Sequence, residues 1–285
     1  MRIFLTAGLL ACLGAFLPAS AGLLYVIDPN GGSNPADLYS IDPGTLAMTL
    51  IGNTGKAGEF GSLAYDTANL TMYWTPGVAD GNLYSLNLSN GTPKLIGNLG
   101  LGTSMSGMAF DPNTGKMFGY AGNNESLYSI NLSTGATTLI GPAATTTGTG
   151  LTYNTATNQL VLLGVDQSFY TESESTGAVT LISGPGLTGL NDTGIAYDSA
   201  GNVYWVASLL GPLYQYDPNT FARTTEINDI GAISEIAYVG PQGTVAPAPE
   251  PSGLAALLLA GCAIAWAKSR KALRFTGVTG DPGSR

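Results

Sequence analysis

The sequence predicts an all-β fold: a five-bladed β-propeller whose ring is closed by pairing its N- and C-terminal strands, followed by a C-terminal transmembrane helix. Three observations carry the propeller. A unit of four short apolar runs recurs, with copies of its third run beginning at Leu38, Leu83, Leu127, Phe169 and Leu213, so the period is 42–45 residues. Each run is four to six residues long with alternating or continuous apolar character, which is the pattern of strands. Five copies of every run exist only when the last run of the chain is counted with the first three.

The unit is plainest over Ser106–Gly141, where runs A to D are divided by Asp111-Pro-Asn-Thr-Gly115, Gly122–Glu125 and Ser133-Thr-Gly135. Run A recurs at Gly61–Asp66, Ser106–Asp111, Thr149–Asn154, Thr193–Asp198 and Ser234–Val239. The chain opens in the middle of a unit, with B at Leu23–Ile27, C at Leu38–Ile41 and D near Met48–Ile51, and it ends on an orphan A at Ile233–Val239. Joining that orphan to the first three runs completes the fifth blade and closes the ring. Within run A the residues alternate large and small, as Leu63 and Tyr65 against Ser62 and Ala64, which gives each blade a thick face and a thin one.

The propeller is assigned to residues 22–243, a length sufficient for one large β-domain with a substantial core. Residues 22 to 245 contain four basic and seventeen acidic residues, a net charge of −13. Nucleic acid is excluded as an expected partner, because phosphate binding needs clustered Lys and Arg. The chain has no histidine, which removes a Ser-His-Asp triad, a His general base and His-ligated zinc. Its two cysteines, Cys12 and Cys262, lie in apolar terminal segments, leaving the propeller with neither a disulfide nor a thiol nucleophile.

Residues 1–21 have the charged start, apolar run and small-residue end (Ala19-Ser-Ala21) of a secretory signal peptide, with cleavage expected after Ala21. A first transmembrane helix and lipoprotein processing at Cys12 are the alternatives. Residues 244–251 form a Pro-rich extended linker, 252–274 an apolar run followed by Lys268, Arg270, Lys271 and Arg274, and 275–285 a polar tail. Sixteen apolar residues reach roughly 24 Å as a helix, so interfacial Trp266 and a snorkelling Lys268 are needed to span a bilayer. Pro251 suits a helix start, and the basic cluster should stay cytoplasmic.

Pro249-Glu250-Pro251, the apolar helix and the basic cluster together resemble the PEP-CTERM sorting signal of Gram-negative bacteria that make exopolysaccharide. The resemblance implies export, transient anchoring in the inner membrane, recognition by an exosortase-type transpeptidase, and release to the cell surface or medium. An ordinary C-terminal anchor is the alternative. The segment Phe275–Arg285 continues past the point where that family usually stops. The blades themselves are similar to the broad group of NHL-type and related repeats that begin Gly-Ile-Ala-Val-Asp-Pro; that likeness is one of pattern and implies no activity.

The loops before each A run and between B and C are expected on one face and are rich in Gly, Asn, Thr and Asp, which suits either plain turns or hydrogen bonding to a glycan. Glu59, Asp192 and Glu235 stand out because each falls just before or early in an A run, and Glu235 replaces a residue that is small in the other blades. Facing the channel mouth, three carboxylates would be solvated charges, a cation site, or the acid and base of a glycoside hydrolase. Asp66, Asp111, Asn154, Asp198, Asp42 and Asp217 recur where turns begin and are read as turn formers bonding their own backbone rather than as calcium loops. Trp74 and Trp205 are read as core between blades. The expected function is a non-enzymatic binding or scaffold module, associated with exopolysaccharide or matrix proteins and using no metal or cofactor. An extracytoplasmic glycan hydrolase using the channel carboxylates is the alternative.

Overall fold

The computed structural model describes residues 22–29, 34–58, 60–77, 80–142, 147–184, 192–209, 211–227 and 232–241. These all belong to the first of two units, Met1–Gln242 and Gly243–Arg285. The signal segment up to Ala21, the Pro249-Glu250-Pro251 motif and the proposed membrane helix over 252–274 lie outside the described residues. Among the described residues no helix is long and apolar enough to cross a membrane.

Asp- and Gly-containing turns cut the chain into short strands, and each hairpin turns back on its predecessor. The chain starts with β1 (Leu23–Asp28), β2 (Pro35–Ile41) and β3 (Met48–Ala57). Blade 2 is β4 (Ser62–Asp66), β5 (Thr71–Thr75), β6 (Asn82–Leu86) and β7 (Pro93–Asn98). Blade 3 is β8 (Gly107–Asp111), β9 (Lys116–Ala121), β10 (Ser126–Ile130) and β11 (Thr137–Pro142). Blade 4 is β12 (Gly148–Asn154), β13 (Gln159–Gly164), β14 (Phe169–Glu172) and β15 (Val179–Ser183). Blade 5 is β16 (Asp192–Asp198), β17 (Val203–Ser208), β18 (Leu213–Tyr216) and β19 (Arg223–Ile227). The final strand, β20 (Glu235–Val239), pairs antiparallel with β1, so blade 1 has the order β20-β1-β2-β3.

The fold is therefore a five-bladed β-propeller, closed as expected by strands from the two ends of the domain. Leu23 pairs with Val239 and Ile27 with Glu235, while Ile233 ahead of β20 is fully buried. Around the axis β4, β8, β12, β16 and β20 each contact the next, completing the ring.

Both faces of every sheet are covered by neighbouring blades, so the core is divided among five interfaces. Ile27 and Leu38 of blade 1 pack with Leu63 and Trp74 of blade 2. Leu24 and Val26 pack with Trp205 and Leu213 of blade 5. Both tryptophans are core between blades, as the sequence suggests. Each such fully buried aliphatic or aromatic side chain contributes roughly 1.5–3 kcal/mol before conformational entropy is subtracted.

The turn reading of the recurring Asp and Asn residues also holds. Asp66 Oδ1 accepts from the backbone N–H of Ala68 (2.8 Å) and Asn69 (3.0 Å), and Asp198 Oδ1 accepts from Ala200 and Gly201 at 2.9 Å. Asn154 does the same in the same turn of blade 4, and Asp42 and Asp217 do so in the turn between the third and fourth strands of blades 1 and 5. Among the described residues no group of three acidic, Cys or His side chains is placed to hold a metal ion.

One feature of the outer strands was not expected. Leu38 faces Gly52 but Tyr39 faces Leu50, so Ile51 is an extra residue in a bulge, and the same slip occurs at Leu83/Tyr84, Leu127/Tyr128 and Phe169/Tyr170. The bulge brings Gly97 against the turn of the next blade. A Cβ on Gly97 would lie 1.9 Å from Thr134 O, and Gly135 itself has a φ of +78°. Glycine is required on both sides of that contact.

Candidate functional site

Of the three carboxylates singled out from sequence, only the side chain of Glu235 is among the described residues. Glu59 lies outside the described residues. Asp192 opens β16 opposite Ser208, next to a register shift before Gly194, and its side chain lies outside the described residues. Glu235 is only 1% exposed.

The expectation that Glu235 faces the channel is corrected by the packing of the innermost strands. The small residues at the Glu235 position of run A, Gly107 and Gly194, lie against the next blade's innermost strand. A Cβ on Gly107 would sit 2.4 Å from Leu151 N, and one on Gly194 would sit 3.2 Å from Ile236 N. Glu235 occupies the equivalent place in β20, so its side chain is directed at blade 2. There Trp74 Nε1 donates to Oε2 over 2.6 Å. Oε1 lies beside the Gly61 backbone without completing a well-formed hydrogen bond, and a Cβ on Gly61 would be 2.5 Å from it. Gly61 stands where the other blades have Ser or Thr, so Glu235, Trp74 and Gly61 fit one another as a set. Burial pushes the Glu235 carboxyl well above the usual carboxylate range, against the opposing pull of the Trp74 and Gly61 N–H groups. It joins blades and does not meet solvent.

Sequence reasoning passed over a second buried acid. Glu172 ends β14, where the other blades have Ile41, Leu86, Ile130 and Tyr216. Neither of its carboxyl oxygens has a hydrogen-bond partner, and desolvation raises its pKa to about 8.

The innermost strands enclose a cavity of about 130 Å³ on the ring axis. Its lining is largely aliphatic, with Ala64, Ala109, Ala196 and Ala237 among it, and two further kinds of residue join these. Tyr65, Phe110, Tyr153, Tyr197 and Tyr238 come from one position of run A in all five blades. Thr67, Thr152, Thr155 and Ser199 supply hydroxyls, three of them from the turns that follow the innermost strands. No Asp, Glu, Lys or Arg lines it. The cavity thus opens at the A-to-B turns, the opposite end from the loop face that the sequence reading favoured.

The aromatic girdle is fixed by hydrogen bonds between blades and within turns. Asn113 Nδ2 of blade 3 donates to the Tyr153 hydroxyl of blade 4 over 3.1 Å, and Tyr197 donates to Asn202 Oδ1 over 2.6 Å. Burial raises the phenol pKa of Tyr153, Tyr197 and Tyr238, with Asp111 or Asp198 adding to the shift. These phenols stay neutral and bring no charge to the cavity. An uncharged aromatic and hydroxyl-lined recess suits a small neutral group with both apolar and polar faces. The fivefold recurrence of an aromatic residue in run A was the sequence signal that could have located it.

At the other end of the ring, Lys56 Nζ pairs with Asp80 Oδ2 at 3.0 Å. Asn82 and Tyr84 also donate to Asp80, and together these bonds outweigh desolvation and lower its pKa.

No family model and no curated protein matches the chain. Among solved structures, a chain of the nidogen/laminin complex is similar with a TM-score of 0.57 and 11% identity, covering 78% of this chain and 100% of its own. A structural-genomics protein of unknown function from Bacteroides thetaiotaomicron VPI-5482 is similar with a TM-score of 0.51 and 16% identity; the match covers 79% of this chain and 66% of that one. At these identities the likeness is one of fold, and it places the chain among proteins with a β-propeller body.

Proposed function

We propose that the propeller is a non-enzymatic binding and scaffold module of an exported cell-surface or matrix protein, and that it takes neutral polysaccharide at the axial cavity. The observation that carries this reading is the cavity lining: five aromatic positions and several hydroxyls with no charged residue. A sugar ring presents apolar C–H faces and an equatorial set of hydroxyls, which matches such a lining. The acidic surface argues for a neutral rather than an anionic glycan, since like charges repel. Export rests on the signal-like segment ending at Ala21, and sorting on the likeness of Pro249-Glu250-Pro251, the apolar run and the basic cluster to exosortase substrates. A fold neighbour taken from a nidogen/laminin complex is compatible with a propeller used for binding. The hydrolase alternative gains nothing from Glu235, which is buried against Trp74.

The test is a panel of neutral and anionic polysaccharides assayed in parallel for binding and for release of reducing ends. Binding of neutral glycans without new reducing ends is expected. Hydrolysis abolished by Glu235→Gln in a protein of unchanged melting temperature would overturn the reading.

A further inference from the structure

The outermost strands of blades 1 to 4 repeat one short text: Thr49-Leu-Ile-Gly52, Lys94-Leu-Ile-Gly97, Thr138-Leu-Ile-Gly141 and Thr180-Leu-Ile-Ser183. Leu50, Leu95, Leu139 and Leu181 are 55%, 57%, 58% and 56% exposed. Each of these strands is the last of its sheet, so one row of backbone N–H and C=O groups faces outward with no partner strand among the described residues. Exposed, apolar, β-prone edges template pairing with another strand unless charges guard them. Two blades carry such a guard. Lys94 stands where the register of the other four blades has Thr49, Thr138, Thr180 and Thr225, and Glu226 of blade 5 stands where the others have the exposed leucine. Blades 1, 3 and 4 have no charge in the tripeptide.

We propose that the propeller self-associates by antiparallel pairing of these unguarded edges, the occupant of each edge being the edge of a second copy. Two observations select a second copy over an unrelated chain. Antiparallel pairing of identical Thr-Leu-Ile edges is self-complementary about a two-fold axis, aligning leucine beside leucine. β3, β7, β11 and β15 contain no acidic residue in a domain of net charge −13, so two copies meet with least repulsion along these strands. Three such edges on one ring let association propagate instead of stopping at a dimer. The inference deepens the scaffold reading and rests on it, but the experiment reads association alone, so failure here leaves carbohydrate binding to be judged by its own assay.

The test compares the full chain with its Thr49→Lys/Thr138→Lys/Thr180→Lys form by sedimentation equilibrium in the same detergent, so the C-terminal segment contributes equally to both. Lysine is native at the equivalent place in blade 2, and the threonines at 49, 138 and 180 are exposed. The wild-type chain should associate with rising concentration, and the triple variant should associate roughly tenfold more weakly at an unchanged melting temperature. A second variant, Lys94→Thr, removes a guard and should strengthen association. A monomeric wild type, or equal association of wild type and both variants, overturns the proposal.

Discussion

Trp74 Nε1 and Glu235 Oε2 lie 2.6 Å apart although 161 residues separate them in the chain, and their hydrogen bond ties blade 2 to the strand that closes the ring. Trp74→Phe removes the donor and leaves a buried carboxyl group facing an apolar ring. A loss of about 1–3 kcal/mol in unfolding free energy is expected, read by chemical denaturation. Trp74→Phe in a Glu235→Leu background should lose less than in the wild type, because no buried acid is then orphaned.

Stability should fall as pH rises. Glu172 and Glu235 both have folded pKa values above the unfolded 4.5, so the folded state holds more protons than the unfolded chain. Their stabilisation is complete below about pH 4.5 and declines above it, with Glu172 losing its share up to its folded pKa of about 8. Each group contributes a slope of about 1.4 kcal/mol per pH unit within its window. Glu172→Leu, which restores the residue type of Leu86, should flatten part of that slope and raise the melting temperature at pH 8.

Gly135→Ala should destabilise the domain by about 1–3 kcal/mol. Its φ of +78° disfavours a side chain, and the new Cβ would meet Gly97 O at 2.6 Å. The readout is the denaturation midpoint, and Gly100→Ala serves as a comparison, being strained at φ +79° with no atom within 4 Å of the added Cβ. Gly135→Ala should cost more than Gly100→Ala.

Glu250→Ala should leave uncleaved precursor in the membrane fraction if Pro249-Glu250-Pro251 is what the transpeptidase reads. The ratio of precursor to released protein on an immunoblot decides it; equal release of the two forms would remove the sorting assignment.

The ring and its closure were legible because turn chemistry recurs in step with the strands: Asp66, Asp111, Asn154 and Asp198 mark the same turn in four blades, and the orphan Glu235–Val239 strand had only one place to go. The direction of Glu235 was not. Strand alternation sorts side chains into two sets, but in a propeller both sets face neighbouring blades, so smallness at Gly107 and Gly194 reflected close backbone approach between blades and not the axis. Glu172 is readable in principle, since it stands where the repeat has Ile41 or Leu86. The axial cavity is hidden for a related reason: large/small alternation in run A explains Tyr65 as the thick side of a wedge, and nothing in one strand shows that Tyr65, Phe110, Tyr153, Tyr197 and Tyr238 also ring the axis.

The most direct measurement of the central claim is calorimetric titration of the protein with a neutral polysaccharide that it binds, comparing wild type with Thr155→Arg and Ser199→Arg. Both residues are exposed on the turns at the cavity rim, so a long side chain there obstructs entry without disturbing the packing between blades. Binding through the axial cavity predicts affinity at least about tenfold weaker in each variant, a loss of roughly 1.4 kcal/mol, at an unchanged melting temperature. Wild-type affinity in both variants would contradict it.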